Sequence, residues 1–193
     1  MILKEIYPHI YLAKYSNQYE LTATFMRAQE FYESPFDNIR GKYFTYESFI
    51  DAYIKNGKLS YWSDWAGFNI PGESIHYFYL NFKDELTVRE RDLFKNLSSL
   101  QDFQNTDYYL IGVYRNQDLS HEIAHAFYYL NEKYRYKANK LIASLSPKEF
   151  DKRCRELATT LYTPEVFMDE IQAYAVSNKE RNFLKLYNQY RKN

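Results

Sequence analysis

The sequence contains a single cysteine, Cys154, in 193 residues, and this scarcity excludes an intrachain disulfide. Proteins of oxidising compartments commonly carry paired cysteines, so a lone thiol favours a reducing, intracellular environment. Glycine is also scarce, with 5 residues, and no stretch rich in glycine, serine or proline interrupts the chain. We therefore expect a cytoplasmic protein without a flexible linker.

The charged residues leave no net charge of either sign. Lysine and arginine together number 25, and aspartate and glutamate together also number 25. This balance produces no long-range field that would concentrate nucleic acid or anionic lipid around the chain. The composition therefore predicts no nucleic-acid partner and no attraction to a membrane surface.

Long apolar runs are missing as well. The chain has no stretch of about 18 apolar residues, the length that a membrane-spanning helix needs. The opening segment, MILKEIYPHIYLAKY, interrupts its apolar side chains with Lys4, Glu5, His9 and Lys14. It therefore lacks the continuous apolar segment of a signal peptide. The sequence predicts neither a membrane span nor export by that route.

Aromatic residues, in contrast, are abundant. The chain has 22 tyrosines and 14 phenylalanines, and aromatic residues make up 20% of it. These side chains supply large surfaces for a core and for the walls of a cleft. The length suffices for one domain with a sizeable core and is short for two. We predict a single domain over residues 1–193, with an α+β part over 1–107 and a second part over 108–193.

Local patterns predict an α+β fold with a small mixed or antiparallel sheet. Thr45 and Ser146 are candidate helix N-caps, and Gly57 is a candidate helix end. Residues 74–82 (SIHYFYLNF) and 107–114 (DYYLIGVY) are rich in β-forming residues and are predicted to be strands. The predicted helices cover residues 18–33, 46–56, 87–100, 118–131, 133–145 and 147–160, a further helix follows Thr163, and residues 61–73 form an aromatic loop.

The segment HEIAH, residues 121–125, carries the pattern with the clearest chemistry. On a helix, His121 and His125 lie about 400° apart, so both imidazoles project from one face about one turn apart. Two ring nitrogens can then reach one ion. Glu122 lies about 100° to the side of His121, which suits a carboxylate that contacts the attacking water without binding the metal. The pattern predicts a zinc site of a hydrolase.

The alternative is a polar face exposed to water. On a helical wheel the two histidines lie roughly opposite an apolar stripe, so they do not resemble core histidines. A solvated helix face would show the same pattern. Ala124, between the histidines, is small and leaves space above the helix for an ion, which favours the metal site. The stripe consists of Leu119, Ile123, Ala126, Phe127 and Leu130.

A third metal ligand must come from elsewhere in the chain, and we expect a carboxylate. Glu170 follows on a separately capped helix, beside small and apolar residues. A carboxylate that faces such a wall is costly unless a cation compensates it. Asp169 is the competing residue, either as a ligand or as an acceptor for a histidine N–H group. We predict Glu170 as the ligand.

HEIAH together with DEIQAYA, residues 169–175, resembles the gluzincin group of zinc metallopeptidases. The resemblance covers residues 108–178, whereas residues 1–107 resemble no family of known activity. It implies a zincin-like fold, and strand 107–114 as a sheet edge to which an extended peptide or protein substrate could add. It also implies a Zn²⁺ ion bound by His121, His125 and Glu170, with Glu122 as general base. The pattern E-x-Q-A over residues 170–173 is also similar to that of small intracellular metallopeptidases associated with phage-repressor cleavage.

The chain departs from the gluzincin pattern at Tyr174. Gluzincins often carry an acidic residue there, which orients a histidine, so the chain falls outside the thermolysin-like group. The Tyr174 hydroxyl or Asp169 could accept that hydrogen bond instead.

The predicted reaction also requires a group that stabilises the oxyanion. Tyr162 is the first candidate, and His76 is the second. The leading interpretation is therefore a zinc metallopeptidase with Glu122 and Tyr162 as catalytic residues. A zinc-binding scaffold without activity is the alternative, in which Asp169 or His76 would close the site as a fourth ligand.

Overall fold

The computed structural model describes residues 1–54, 58–116, 119–160 and 162–192. The chain forms two compact units, Met1–Asn116 and Gln117–Asn193. Their boundary lies nine residues beyond the one predicted at 107/108, and their combination into a single domain stays a prediction. The predicted helix end at Gly57 and the first residue of the predicted helix 118–131, Asp118, fall outside the described residues.

The N-terminal unit contains a mixed sheet of four strands in the order β1-β2-β4-β3. A hairpin joins the antiparallel β1 and β2, and His9 in its turn has a φ of 63°. β2 and β4 are parallel, and β3 and β4 are antiparallel. This confirms the mixed α and β composition and the small mixed sheet. The strands are β1 (Ile2–Tyr7), β2 (Ile10–Lys14), β3 (Gly67–Pro71) and β4 (Tyr109–Val113).

Strand β4 lies in the middle of this sheet, and the prediction of an edge strand at 107–114 is wrong. β4 hydrogen-bonds to β2 on one side and to β3 on the other, so no extended peptide can add to it. All five of its residues are buried, as is typical of a strand covered on both faces. The helix Gln18–Glu33 packs closely against β4. A Cβ on Gly112 would lie 2.7 Å from a ring carbon of Phe25.

Five α-helices of the N-terminal unit appear among its described residues. The predicted helix 18–33 is confirmed, with Asn17 as its N-cap. Thr45 caps the second helix as predicted, and Thr87 opens the fifth with a capping box. The helices are α1 (Gln18–Glu33), α2 (Tyr46–Tyr53), α3 (Tyr61–Asp64), α4 (Gly72–Phe82) and α5 (Val88–Leu97), and a short 3-10 helix covers Gln101–Phe103.

The strand predicted over residues 74–82 is wrong, because this segment is helix α4. Ile75, Phe78 and Phe82 are buried at a spacing of three and four residues, whereas Tyr77 and Leu80 are exposed. The aromatic composition favoured a strand, but the spacing of the buried side chains is that of a helix. The preceding segment, predicted as an aromatic loop, contains α3 and the edge strand β3.

The C-terminal unit is helical throughout the residues that the structure describes. Asn131 and Ser146 cap its second and third helices, and the latter confirms the predicted N-cap. Among the described residues of both units, no helix combines the length and the apolar character that a membrane span requires. The helices are α6 (Leu119–Leu130), α7 (Glu132–Ala143), α8 (Pro147–Thr159), α9 (Phe167–Ser177) and α10 (Arg181–Arg191), and a 3-10 turn at Pro164–Val166 precedes α9.

Candidate metal centre

Helices α6 and α9 of the C-terminal unit lie side by side, and their facing residues form the candidate site. His121 and His125 stand one turn apart on α6, and Glu170 lies in the first turn of α9. Ala124 and Ala173 are fully buried, and their small side chains permit the close approach of the two helices. The structure thus brings together the two histidines and the glutamate on which the sequence prediction depends.

Three side chains converge with distances suited to one ion. His121 Nε2 lies 3.0 Å from His125 Nε2. Glu170 Oε2 lies 3.6 Å from His121 Nε2, and its Oε1 lies 3.7 Å from His125 Nε2. A tetrahedral zinc ion with ligands at about 2.0–2.1 Å separates neighbouring ligand atoms by about 3.3 Å. The observed distances lie on both sides of that value, so His121, His125 and Glu170 could hold a metal ion.

The histidine face of α6 is not a solvated surface. His125 is 2% exposed and Glu170 is 5% exposed, and the His121 side chain retains 15% exposure. On the helical wheel this face is polar, yet in the fold α9 covers it with a carboxylate rather than with apolar side chains. The alternative of an exposed polar face is therefore excluded for His125.

A bound cation would stabilise the buried carboxylates of the cluster. Burial raises the pKa of Glu170 to about 7, since the ionised carboxylate loses its hydration, and Asp169 and Glu122 add to this effect. Among the described residues, Glu170 Oε2 is buried without a hydrogen-bond partner. An unpaired buried carboxylate oxygen is costly, and a bound metal ion would compensate it. The donor set fits zinc on this observation.

The protonation of the two imidazoles differs. Burial lowers the pKa of His121, and the neighbouring His125 lowers it further. Burial also acts to lower the pKa of His125, but the carboxylates of Asp169 and Glu170 outweigh it and raise that pKa. A metal ion that takes the Nε2 lone pair of His125 therefore displaces a proton held by carboxylates.

Helix α9 contacts both imidazoles through residues other than Glu170 as well. Asp169 Oδ1 approaches His125 Nδ1 to 2.9 Å, although off the line expected of a hydrogen bond. The His121 imidazole hydrogen-bonds to the backbone of Ala173. Asp169 thus lies against Nδ1 of His125, on the side of the ring away from Nε2, and not at the position of a metal ligand. Of the two roles that the sequence left open for Asp169, the structure favours the second.

Glu122 and two tyrosines complete the surroundings of the cluster. Glu122 is buried, and its charge contributes to raising the pKa values of Glu170, Tyr162 and Tyr174. The Tyr162 hydroxyl interacts with that of Tyr174, and burial raises the pKa of both phenols, which keeps them as neutral donors. The Tyr174 ring meets the His121 ring edge-on, with centroids 4.7 Å apart. The sequence suggested the Tyr174 hydroxyl as a substitute acceptor for a histidine, but not as a donor of the site, although its position one turn on from Glu170 puts it on the same helix face.

His76, the second candidate for oxyanion stabilisation, belongs to α4 in the N-terminal unit. Its ring contacts Tyr77 and Phe103 of that unit. This environment is that of a packing residue, and nothing places His76 in the cluster.

Comparison of the chain with models of protein families, with curated proteins and with solved structures finds no match. The resemblance to gluzincins therefore depends on residues 108–178 alone and stays a prediction. The geometry of the cluster has to support any functional proposal by itself.

Proposed function

We propose that the chain is a zinc-dependent metallopeptidase. The observation that carries this proposal is the convergence of His121 Nε2, His125 Nε2 and the Glu170 carboxylate within 4.8 Å of one another, on two adjacent helices. Two imidazoles and one carboxylate match the ligand set of catalytic zinc sites, which keep a fourth position for water or substrate. Asp169 leaves this position free, since it faces the outer nitrogen of His125.

The bound ion would supply Lewis acidity and lower the pKa of a coordinated water. Residues of the chain would provide proton transfer and stabilisation of the oxyanion. Glu122 is the general base that would take a proton from the attacking water, because it is buried and its charge acts on both His125 and Glu170, which places its carboxylate beside the cluster. The hydroxyls of Tyr162 and Tyr174, both neutral, are the donors that would stabilise negative charge on the scissile carbonyl oxygen. The substrate class is a peptide or protein.

The first test measures metal content and turnover. Protein purified without an affinity tag should contain about one zinc per chain by elemental analysis, and His121→Ala should lose it. Glu122→Gln should keep its zinc and lose about 10²–10⁴-fold in the cleavage of a proteome-derived peptide library, read by mass spectrometry. Glu132→Gln, at an exposed acid on α7, is the matched control and should retain activity. Full turnover by Glu122→Gln would refute the mechanism.

A zinc-binding scaffold without activity is a second candidate, and the burial of the cluster favours it. Glu122 is 6% exposed and His125 is 2% exposed, so access to the ion is narrow. A wild-type chain that holds one zinc but cleaves no peptide of the library would support this candidate. Cleavage that depends on Glu122 would exclude it.

A further inference from the structure

We propose that Gln172 and Tyr134 are positioning residues, which act through Asp169 to fix the imidazole of His125. The inference rests on the metal centre of the proposed function, but not on its peptidase activity. It assigns a role to two buried polar residues that the proposed mechanism does not otherwise use.

A continuous chain of polar contacts connects these residues. The Tyr134 hydroxyl donates to Gln172 Oε1 over 2.8 Å. Gln172 Nε2 donates to Asp169 Oδ1, also over 2.8 Å. The same Oδ1 lies 2.9 Å from His125 Nδ1. Tyr134 is 1% exposed, and Gln172 is fully buried, so water does not compete for the contacts at that end of the chain.

The hydrogen bonds in this series of contacts have a fixed direction of donation, and that direction matches the tautomer of His125 with its proton on Nδ1. An amide oxygen only accepts, so the contact at Gln172 Oε1 requires Tyr134 to donate. The ionised carboxylate of Asp169 only accepts, so the amide turns its NH₂ group toward it. The Tyr134 hydroxyl supports this orientation by donating to the amide oxygen on the other side. Asp169 Oδ1 accepts from the amide, and its negative charge lies 2.9 Å from His125 Nδ1, where it favours a proton on that nitrogen. With the proton on Nδ1, the lone pair of Nε2 faces Glu170, as a metal ligand requires.

Packing does not explain why this series of contacts is built from buried polar residues. A buried amide is costly unless it is paired, and an apolar residue of similar length at position 172 would fill the space without that cost. Gln172 lies one turn from Asp169 on α9, whereas Tyr134 belongs to α7. The contact at Tyr134 therefore couples a third helix to the orientation of a metal ligand.

The test compares zinc affinities, measured by competition with a chromogenic chelator. Loss of an outer partner of a metal-binding histidine typically lowers affinity about 10–100-fold. We expect Gln172→Met to lose about tenfold, and Tyr134→Phe to lose a few-fold because it acts one contact further out. The matched control is Tyr128→Phe, which removes a 2.8 Å hydroxyl contact to Asn139 outside the chain and should keep wild-type affinity. Circular dichroism and thermal unfolding of the zinc-free variants verify folding.

A double-mutant cycle separates positioning from general support of the fold. If Gln172 acts through Asp169, Gln172→Met should change zinc affinity less than twofold in an Asp169→Ala background. An equal loss in both backgrounds would overturn the inference, as would unchanged affinity in both Gln172→Met and Tyr134→Phe. Should Gln172→Met not fold, Tyr134→Phe in the same two backgrounds decides the question. A wild-type chain that binds no zinc would overturn both the metal centre and this inference, whereas zinc binding without peptide cleavage would overturn only the peptidase.

Discussion

Replacement of Glu170 by glutamine should change stability in opposite directions with and without zinc. The Glu170 carboxylate is 5% exposed, and among the described residues its Oε2 has no hydrogen-bond partner. Burial raises the pKa of this carboxyl from 4.5 to about 7 in the folded chain. The folded state therefore holds the proton more tightly than the unfolded state does. Stability from Glu170 is fully present below pH 4.5 and is lost as the pH rises through about 7.

The magnitude follows from that difference in pKa. At pH 8 the ionised Glu170 costs the zinc-free protein on the order of 3 kcal/mol, because each unit of pKa corresponds to about 1.36 kcal/mol. Glu170→Gln removes this cost, and the zinc-free variant should be the more stable protein at pH 8. At pH 5 the wild-type carboxyl is mostly protonated, so the advantage of the variant should shrink by roughly 2–3 kcal/mol.

Zinc should reverse the order. A ligand that binds only the folded state stabilises it by about 4.1 kcal/mol at a free concentration of 1,000 times its Kd, which exceeds the cost of about 3 kcal/mol that the ionised Glu170 carries at pH 8. The wild-type chain should gain this stability, whereas Glu170→Gln, which has lost an anionic ligand, should gain little. Urea unfolding followed by far-UV circular dichroism, at pH 5 and pH 8, with chelator or with excess zinc, measures all four conditions.

An exposed carboxylate on α8 provides the control. Glu156→Gln alters a carboxylate on α8 that is 64% exposed, and its effect should stay within about 1 kcal/mol under all conditions. If zinc-free Glu170→Gln is less stable than the wild type at pH 8 by more than about 1 kcal/mol, the buried carboxylate is not a source of instability. The electrostatic argument for a cation in this site would then be wrong.

Three further predictions concern the N-terminal unit. Burial raises the pKa of Glu30, so its protonation favours the folded state. When the pH falls from 8 to 5, the urea midpoint of Glu30→Gln should therefore rise less than that of the wild type. Glu90 binds Arg27 through contacts of 2.9 and 2.6 Å with both side chains buried, so Glu90→Gln should cost about 3–5 kcal/mol in chemical denaturation. Gly112→Ala should cost about 1–3 kcal/mol by the same assay, because the added methyl would overlap the ring against β4; an unchanged midpoint would contradict this close packing.

The parts of the fold that depend on neighbouring residues could be predicted from the sequence. The caps at Thr45 and Ser146 and the spacing of His121 and His125 are local, and the structure has each of them. The error at α4 arose because β-forming residues outweighed the three- and four-residue spacing of the buried side chains. Sheet order is not local, so nothing within 107–114 distinguished a central strand from an edge strand.

The residues of the candidate site also fall into those that the sequence could predict and those that it could not. Glu170 could be selected as a ligand because a carboxylate beside small and apolar residues on a separate helix is unusual. The contacts of Gln172 and Tyr134 could not be predicted, since they join α7 and α9 across 38 residues of sequence. Tyr174 was recognised as a departure from a family pattern and as a substitute hydrogen-bond acceptor, but not as a donor, although its spacing from Glu170 puts it on the same helix face.

Helix α9 explains why the histidines look solvated in the sequence and yet are buried. It provides the candidate ligand Glu170, and it also contacts both imidazoles a second time, through Asp169 and the backbone of Ala173. The polar face of α6 therefore meets Asp169 and Glu170 on α9, and the small side chains of Ala124 and Ala173 lie at the same contact. Within this contact Glu170 Oε2 has no hydrogen-bond partner among the described residues, and a bound metal ion would compensate it. Because one turn of α9 provides all three groups, any displacement of that turn would alter the ligand and both outer contacts together.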